Sequence, residues 1–167
     1  CRNALIEGAN NLDDAIAWLR KKGLSTAAKK ADRVAAEGLI GVNLSSDHKR
    51  AVAVEVNSET DFVALNENFQ NLVESIVLAA DKANDIAELE SINLASGKAV
   101  KEAIVDNIAS IGENLLLRRM IKVEVSEGIV ASYVHNATKD KDGNIKKNLG
   151  KIGVLVALES NAADVTA

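Results

Sequence analysis

Apolar residues recur along this chain with two different spacings, and the points where the spacing changes divide it into segments. The opening stretch "CRNALIEGANNLDDAIAWLRKKG" predicts two short helices joined at "GANN". In the second, Asn11 is placed to cap the helix, and Asp13 and Asp14 lie where the positive end of the helix dipole favours acids. Leu12, Ile16 and Leu19 form its apolar stripe, and Lys21, Lys22 and Gly23 are expected to close it. Two helices of this length do not bury their faces alone, so they need a third helix or the following domain, and a missing helix ahead of Cys1 is the simpler expectation. The Ala-rich "STAAKKADRVAAEG" then predicts a linker helix, with Ser25 as its cap and Gly38 as its stop, where two modules meet.

From Leu39 the period changes from helical to alternating. Ile40, Val42 and Leu44, the turn "SSDH", and Val52, Val54 and Val56 predict a β-hairpin. Helical spacing returns at Phe69, Leu72, Val73, Ile76, Ala80 and Ala83, and again at Val100, Ile104, Ile108 and Ile111 after a polar connection. Gly112 can supply the left-handed residue that ends the second of these helices. Three alternating runs follow: Ile121/Val123/Val125, Val130/Ser132/Val134 and Ile152/Val154/Val156/Leu158, with "SEG" expected as a tight turn between the first two. Strands, two helices and strands again argue an α+β fold, an antiparallel sheet packed with two helices. The expected organisation is a partial helical module over 1–23, a linker helix over 24–37, a core domain over 38–160 and a tail over 161–167.

Composition narrows the function classes. At 167 residues and 47% hydrophobic content the chain can bury an ordinary core. No run approaches the apolar length of a membrane span, and no basic start leads into an apolar segment as in a secretory signal. The single Cys1 excludes an internal disulfide framework, so a reducing compartment such as the cytoplasm is expected. A first residue that is Cys rather than Met suggests a piece of a longer chain. The net charge is −4 and the aromatics are one Trp, one Tyr and two Phe, which is neither the basic field nor the stacking set of a nucleic-acid binder. The basic stretch "KDKDGNIKKN" contains two aspartates and a glycine and reads as a solvated loop.

Candidate chemistry is thin. Glu59 and Asp61 stand two apart at a strand end, a spacing open to acid-base work but commoner in solvated turns. His48 falls in the hairpin turn, and His135 ends a strand with no second ligand nearby in sequence. Neither a phosphate-binding loop nor a dinucleotide fingerprint is present, so no bound nucleotide, cofactor or metal is expected. Phe62 admits two readings. A helix starting near Thr60 puts it on one face with Leu65 and Phe69, in the core; a helix starting at Asn66 leaves "TDFV" as a projecting elbow whose ring can anchor a partner.

The block "EVNSETDFVALNENF" resembles the signature of the elongation factor Ts family, guanine-nucleotide exchange factors of the translational GTPase elongation factor Tu. "STAAKKADRVAAEGLI", "IASIGENLLLRRM", "ASYVHN" and "GKIGVLVALES" resemble further family blocks in family order. The resemblance implies a ubiquitin-associated-like N-terminal module and the first half of a family core. It implies elongation factor Tu as partner, with no nucleic acid, membrane or small-molecule substrate, and an exchange factor rather than an enzyme. It also implies that Asp61 and Phe62 form the working tip, with Thr60 and Val63 as neighbouring partner contacts, and that Phe62 inserts between helices of the GTPase near its magnesium and phosphate site. Ile111, Gly112 and His135 are implied as further contacts, as is Arg2, which stands where the family usually has Lys. Asp61 is open to two roles, as a helix cap or as a partner contact. The family's "TGAGMMD" segment and second core half are absent from this sequence, so weaker binding than that of a full-length member is expected. A bacterial cytoplasm is the implied location, with an organelle matrix also open.

Overall fold

The computed structural model describes residues 1–161, so most of the expected 161–167 tail lies outside the described residues. In chain order the elements are α1 (Arg2–Glu7), α2 (Leu12–Lys30), β1 (Glu37–Leu44), β2 (Arg50–Ser58), a 3₁₀ turn (Asp61–Leu65), α3 (Glu67–Ala80), α4 (Ile86–Ser91), α5 (Val100–Ile111), β3 (Leu115–Glu124), β4 (Gly128–Lys139) and β5 (Ile145–Glu159). The five strands form one antiparallel sheet in the order β3-β2-β1-β5-β4. Because side chains alternate across a strand, Leu39 of β1, Val52, Val54 and Val56 of β2 and Leu115 and Leu117 of β3 share one face. Against them α3 brings Phe69, Val73, Ile76 and Val77, and α5 brings Val100, Ile104 and Ile108, closing the main core. This is the mixed helix and antiparallel sheet that the periodicity implies.

Three local expectations need correction. The helix expected to close at Gly23 runs on to Lys30, so Ser25 caps nothing and no separate linker helix exists over 24–37; Gly38 lies inside β1. A glycine in mid-helix costs about 1 kcal/mol relative to alanine, too little to break a helix that is otherwise well formed. Gly23 is also buried where α2 meets α5, beside Ala109. Second, "SEG" does not join paired strands, since β3 and β4 are opposite edges of the sheet. The connection instead crosses the end of the β1–β2 hairpin. There Val125 N–H donates to the Lys49 carbonyl, Val130 N–H to the His48 carbonyl and Lys49 Nζ to the Gly128 carbonyl, so another hairpin satisfies its polar groups. Third, the basic loop is half strand: the β4–β5 ladder reaches the pair Lys139↔Ile145 and leaves only a turn beyond it. The short α4, capped by Asp85, was not legible as a helix within its polar connection.

Past their contact with β1, β4 and β5 curl across the face turned away from the helices. Val130 and Leu155 meet Ala51 and Val125 in a second small cluster, and Gly153 lies against Ile40 and Val42. Gly150 sits at the pivot, opposite Ile40 of β1 and Ala137 of β4 at once. A Cβ there would lie 2.7 Å from the His135 carbonyl oxygen and 2.5 Å from a Val134 methyl, so only glycine lets the three strands close up. The outward side of the curled pair carries an exposed apolar row, Ile152, Val154, Val156 and Leu158, beside Tyr133.

Gly150→Ala is expected to cost about 1–3 kcal/mol, the usual range for overpacking, seen as a lower urea midpoint at unchanged slope. A second outcome concerns the β4–β5 turn. Asp140 accepts hydrogen bonds from the Asn144 side chain and from the Asn144 and Asp142 backbone amides, which hold its carboxyl below the ordinary carboxylate range. A lowered native value means the support is present above the unfolded pKa and is lost as pH falls through the native one. Protection of the Asn144 amide, followed by NMR, should therefore fade below the ordinary carboxylate pKa.

Candidate functional site

Asn66 decides where α3 begins. Its backbone is extended and its side chain accepts from the amides of Asn68 (2.9 Å) and Phe69 (3.2 Å), a cap that starts the helix at Glu67 and prevents backward extension. Residues 61–65 are thereby displaced from the phase of α3 into their own 3₁₀ turn. Phe69 is fully buried, whereas Phe62 is 76% and Leu65 74% exposed. Of the two geometries open for Phe62, the elbow is the one adopted. Val63, expected as a partner contact, is turned inward with Ala64 and belongs to the main core, where it anchors the elbow. Asp61 is exposed and its carboxylate caps no helix, the caps at this junction being Thr60 and Asn66.

The near end of the elbow is tied to the residues that follow α5. Gly112 adopts φ +89°, the left-handed cap that ends α5 and turns the chain toward the elbow. Glu113 then receives the Thr60 amide at 2.9 Å on one carboxylate oxygen and the Thr60 hydroxyl at 2.7 Å on the other. In the reverse sense the Asn114 amide donates to Glu59 at 2.6 Å. Buried Asn114 also donates through Nδ2 to the carbonyls of Arg33 (2.9 Å) and Ala31 (3.4 Å), and Arg33 reaches Glu59 at 3.5 Å. Lys30 Nζ bonds the Gly112 carbonyl. Three segments distant in sequence therefore meet: the end of α2, the elbow, and the run Gly112-Glu113-Asn114.

These bonds answer the carboxylate-pair question. Glu59 is occupied by Asn114 and Arg33 while Asp61 points to solvent, so the two do not act as an acid-base pair. Nor do three His, Cys, Asp or Glu side chains gather as a metal site among the described residues. His48 is half-buried in the hairpin turn at φ +55°. His135 is exposed on β4, its Nδ1 3.0 Å from the Tyr133 hydroxyl two residues back on the same side of the strand. Ile111 is half-buried against the main core and Gly112 is exposed beside it. Arg2 is exposed on α1, an element that packs against α2 and takes no part in the bracing of the elbow.

Sequence reasoning placed weight on Phe62 and on the Ile-Gly turn but passed over Glu113, Asn114, Lys30 and Arg33. The available signal was the run "IGEN": a carboxylate and an amide directly after a helix-ending glycine, with "SET" as a polar counterpart elsewhere.

The family model described as Elongation factor TS matches residues 59–167, a span that takes in the elbow, α3 to α5 and the last three strands. Elongation factor Ts from Rickettsia bellii is 54% identical over 164 residues, which is 98% of this chain and 50% of the relative. The protein of the same name from Rickettsia felis is 54% identical over 166 residues, 99% of this chain and 51% of the relative. That from Rickettsia africae is 53% identical over 164 residues, covering 98% of this chain and 50% of the relative. The chain thus spans about half the length of the curated relatives it matches, and no helix among the described residues is long and apolar enough to cross a membrane. With the elbow, its brace and the strands behind it all lying inside regions of this similarity, the chain belongs to the elongation factor Ts family.

Proposed function

We propose that the chain binds elongation factor Tu in the cytoplasm and promotes release of its GDP, with Phe62 as the wedge. The observation that carries this reading is a phenylalanine 76% exposed on a turn held by the hydrogen bonds of Thr60 on one side and by buried Val63 and Ala64 on the other. A solvated Phe ring contributes nothing to the stability of its own chain, while burying it in a partner is worth about 1.5–3 kcal/mol. Asp61, Ile111, Gly112, His135 and Arg2 are the further contacts in this proposal. The two N-terminal helices are taken as part of a ubiquitin-associated-like module.

Exchange on this reading is coupling between two ligands of the GTPase. A factor that binds the nucleotide-free state more tightly lowers nucleotide affinity, and nucleotide lowers affinity for the factor by the same ratio. The two need not touch. The charges of Mg²⁺ and diphosphate make their pocket sensitive to small displacements of its ligands, so insertion of one ring is a sufficient device. The chain itself performs no covalent step.

The rate of fluorescent GDP release from elongation factor Tu tests the reading directly. Phe62→Ala is expected to lower the accelerated rate by about tenfold or more, as for an interface hot spot. If the intact chain gives no acceleration, it acts only as a docking module. The brace yields a further outcome: Thr60→Val and Glu113→Ala should each slow release, and the double variant should do little more than either alone. A coupling of about 1 kcal/mol in that cycle marks residues acting as one unit.

A further inference from the structure

Gln70 is a polar side chain in the middle of an apolar core. It is 1% exposed on the inner face of α3, next to Phe69 and near Val63 and Ala64. Its Nε2 lies 2.9 Å from the Ala64 carbonyl oxygen, 2.9 Å from Thr138 Oγ1 and 3.1 Å from the Lys139 carbonyl oxygen. Thr138, also buried, directs its hydroxyl at the same Ala64 carbonyl from 3.4 Å. The orientation of the amide is not arbitrary. With the group reversed, its oxygen would face two carbonyl oxygens, so the donor end must point to Ala64 and Lys139.

The acceptor end tells against a purely stabilising role. Gln70 Oε1 is buried and has no partner among the described residues, and a buried polar atom left unpaired is destabilising. A Met of similar length would fill the space without that penalty. What Met would lose is the link between Ala64 and the end of β4. Ala64 is two residues past Phe62, and Thr138 is three past His135. Asn136, at φ +51°, lies between His135 and Thr138, and Thr138 itself sits in the register shift between Ala137 and Lys139.

We propose that Gln70 is a positioning residue: its buried amide hooks the far end of the turn bearing Phe62 to the strand bearing His135. The inference rests on the exchange reading given above. Glu113 holds the elbow on the Thr60 side and Gln70 holds it on the Ala64 side, with Phe62 between the two ties. A turn tied at both ends cannot swing aside when its ring meets the partner, so binding energy displaces groups of the GTPase instead of bending the elbow. The same hook fixes the spacing of Phe62 and His135, which must engage the partner together.

The test uses Gln70→Met, with Thr138→Val as a second variant that removes the shared hydroxyl at equal volume. In the free chain, hydrogen exchange is read at the Asn66 amide, which closes the elbow on the Val63 carbonyl. With elongation factor Tu, the saturating rate of GDP release is separated from the concentration giving half of it. Faster exchange at Asn66 with α3 unchanged, and a saturating rate lowered by about fivefold at near-constant half-saturation, is the expected result; fivefold corresponds to about 1 kcal/mol, one hydrogen bond's net worth. Unchanged exchange at Asn66 overturns the proposal. So does an unchanged saturating rate under conditions where Phe62→Ala lowers it. If Phe62→Ala has no effect, the exchange reading fails, and Asn66 alone still decides whether the hook exists. If Gln70→Met does not fold, Thr138→Val decides both points.

Discussion

The reciprocal pairing of Glu59 and Thr60 with Asn114 and Glu113 is the interaction on which the rest of the site depends. Each segment supplies a side-chain acceptor for a backbone donor of the other, so neither can shift by a residue without stranding both. Net worth per bond is modest in water, but a carboxylate accepting two donors in a half-buried position is among the stronger cases. The pairing closes the gap between the end of β2 and the start of β3, strands already paired at Ser58 and Leu115. It thereby converts a sheet end into a rigid mount, from which the elbow projects.

Helix α2 is drawn into the same structure. The carbonyls of Ala31 and Arg33, just past its last turn, have lost the regular partners of a helix interior, and Asn114 donates to both. Lys30 in turn reaches the carbonyl at the end of α5, so the C-terminal ends of two helices are joined by side chains crossing between them. The end of α2, which also packs along α5 through Gly23, is therefore tied to the same residues that hold the elbow.

How much of this was legible in the sequence depended on range. The hairpin of β1 and β2, the phases of α3 and α5 and the left-handed Gly112 are set by local spacing and by single residues, and each could be read directly. The order of strands could not, because "SEG" has the composition of a hairpin turn and its true partners, His48 and Lys49, lie about eighty residues earlier. Gly23 misled for the opposite reason: its helix-breaking tendency is local, while the packing against Ala109 that outweighs it is not. At the site, Phe62 was visible as a rare aromatic with two possible phases, and the Asn66 cap that selects one was itself in the sequence. Val63 was expected among the partner contacts because a motif carries no information on which of its members face in. Glu113, Asn114 and Gln70 were missed because a polar residue reveals its partner only when the fold has brought the two together.

The network around Asn114 also bears on how such a chain can change over generations. One amide side chain and one backbone amide at that position serve the carbonyls of Ala31 and Arg33 and the carboxylate of Glu59, while the next residue back serves Thr60. Altering any one member leaves the others with groups to be satisfied anew. The side chains at 59, 60, 113 and 114 thus depend on one another, although about fifty residues separate the two pairs, whereas Ala31 and Arg33 enter through carbonyls that any residue supplies. Leu65, exposed on the same turn, carries no such obligation and can vary alone.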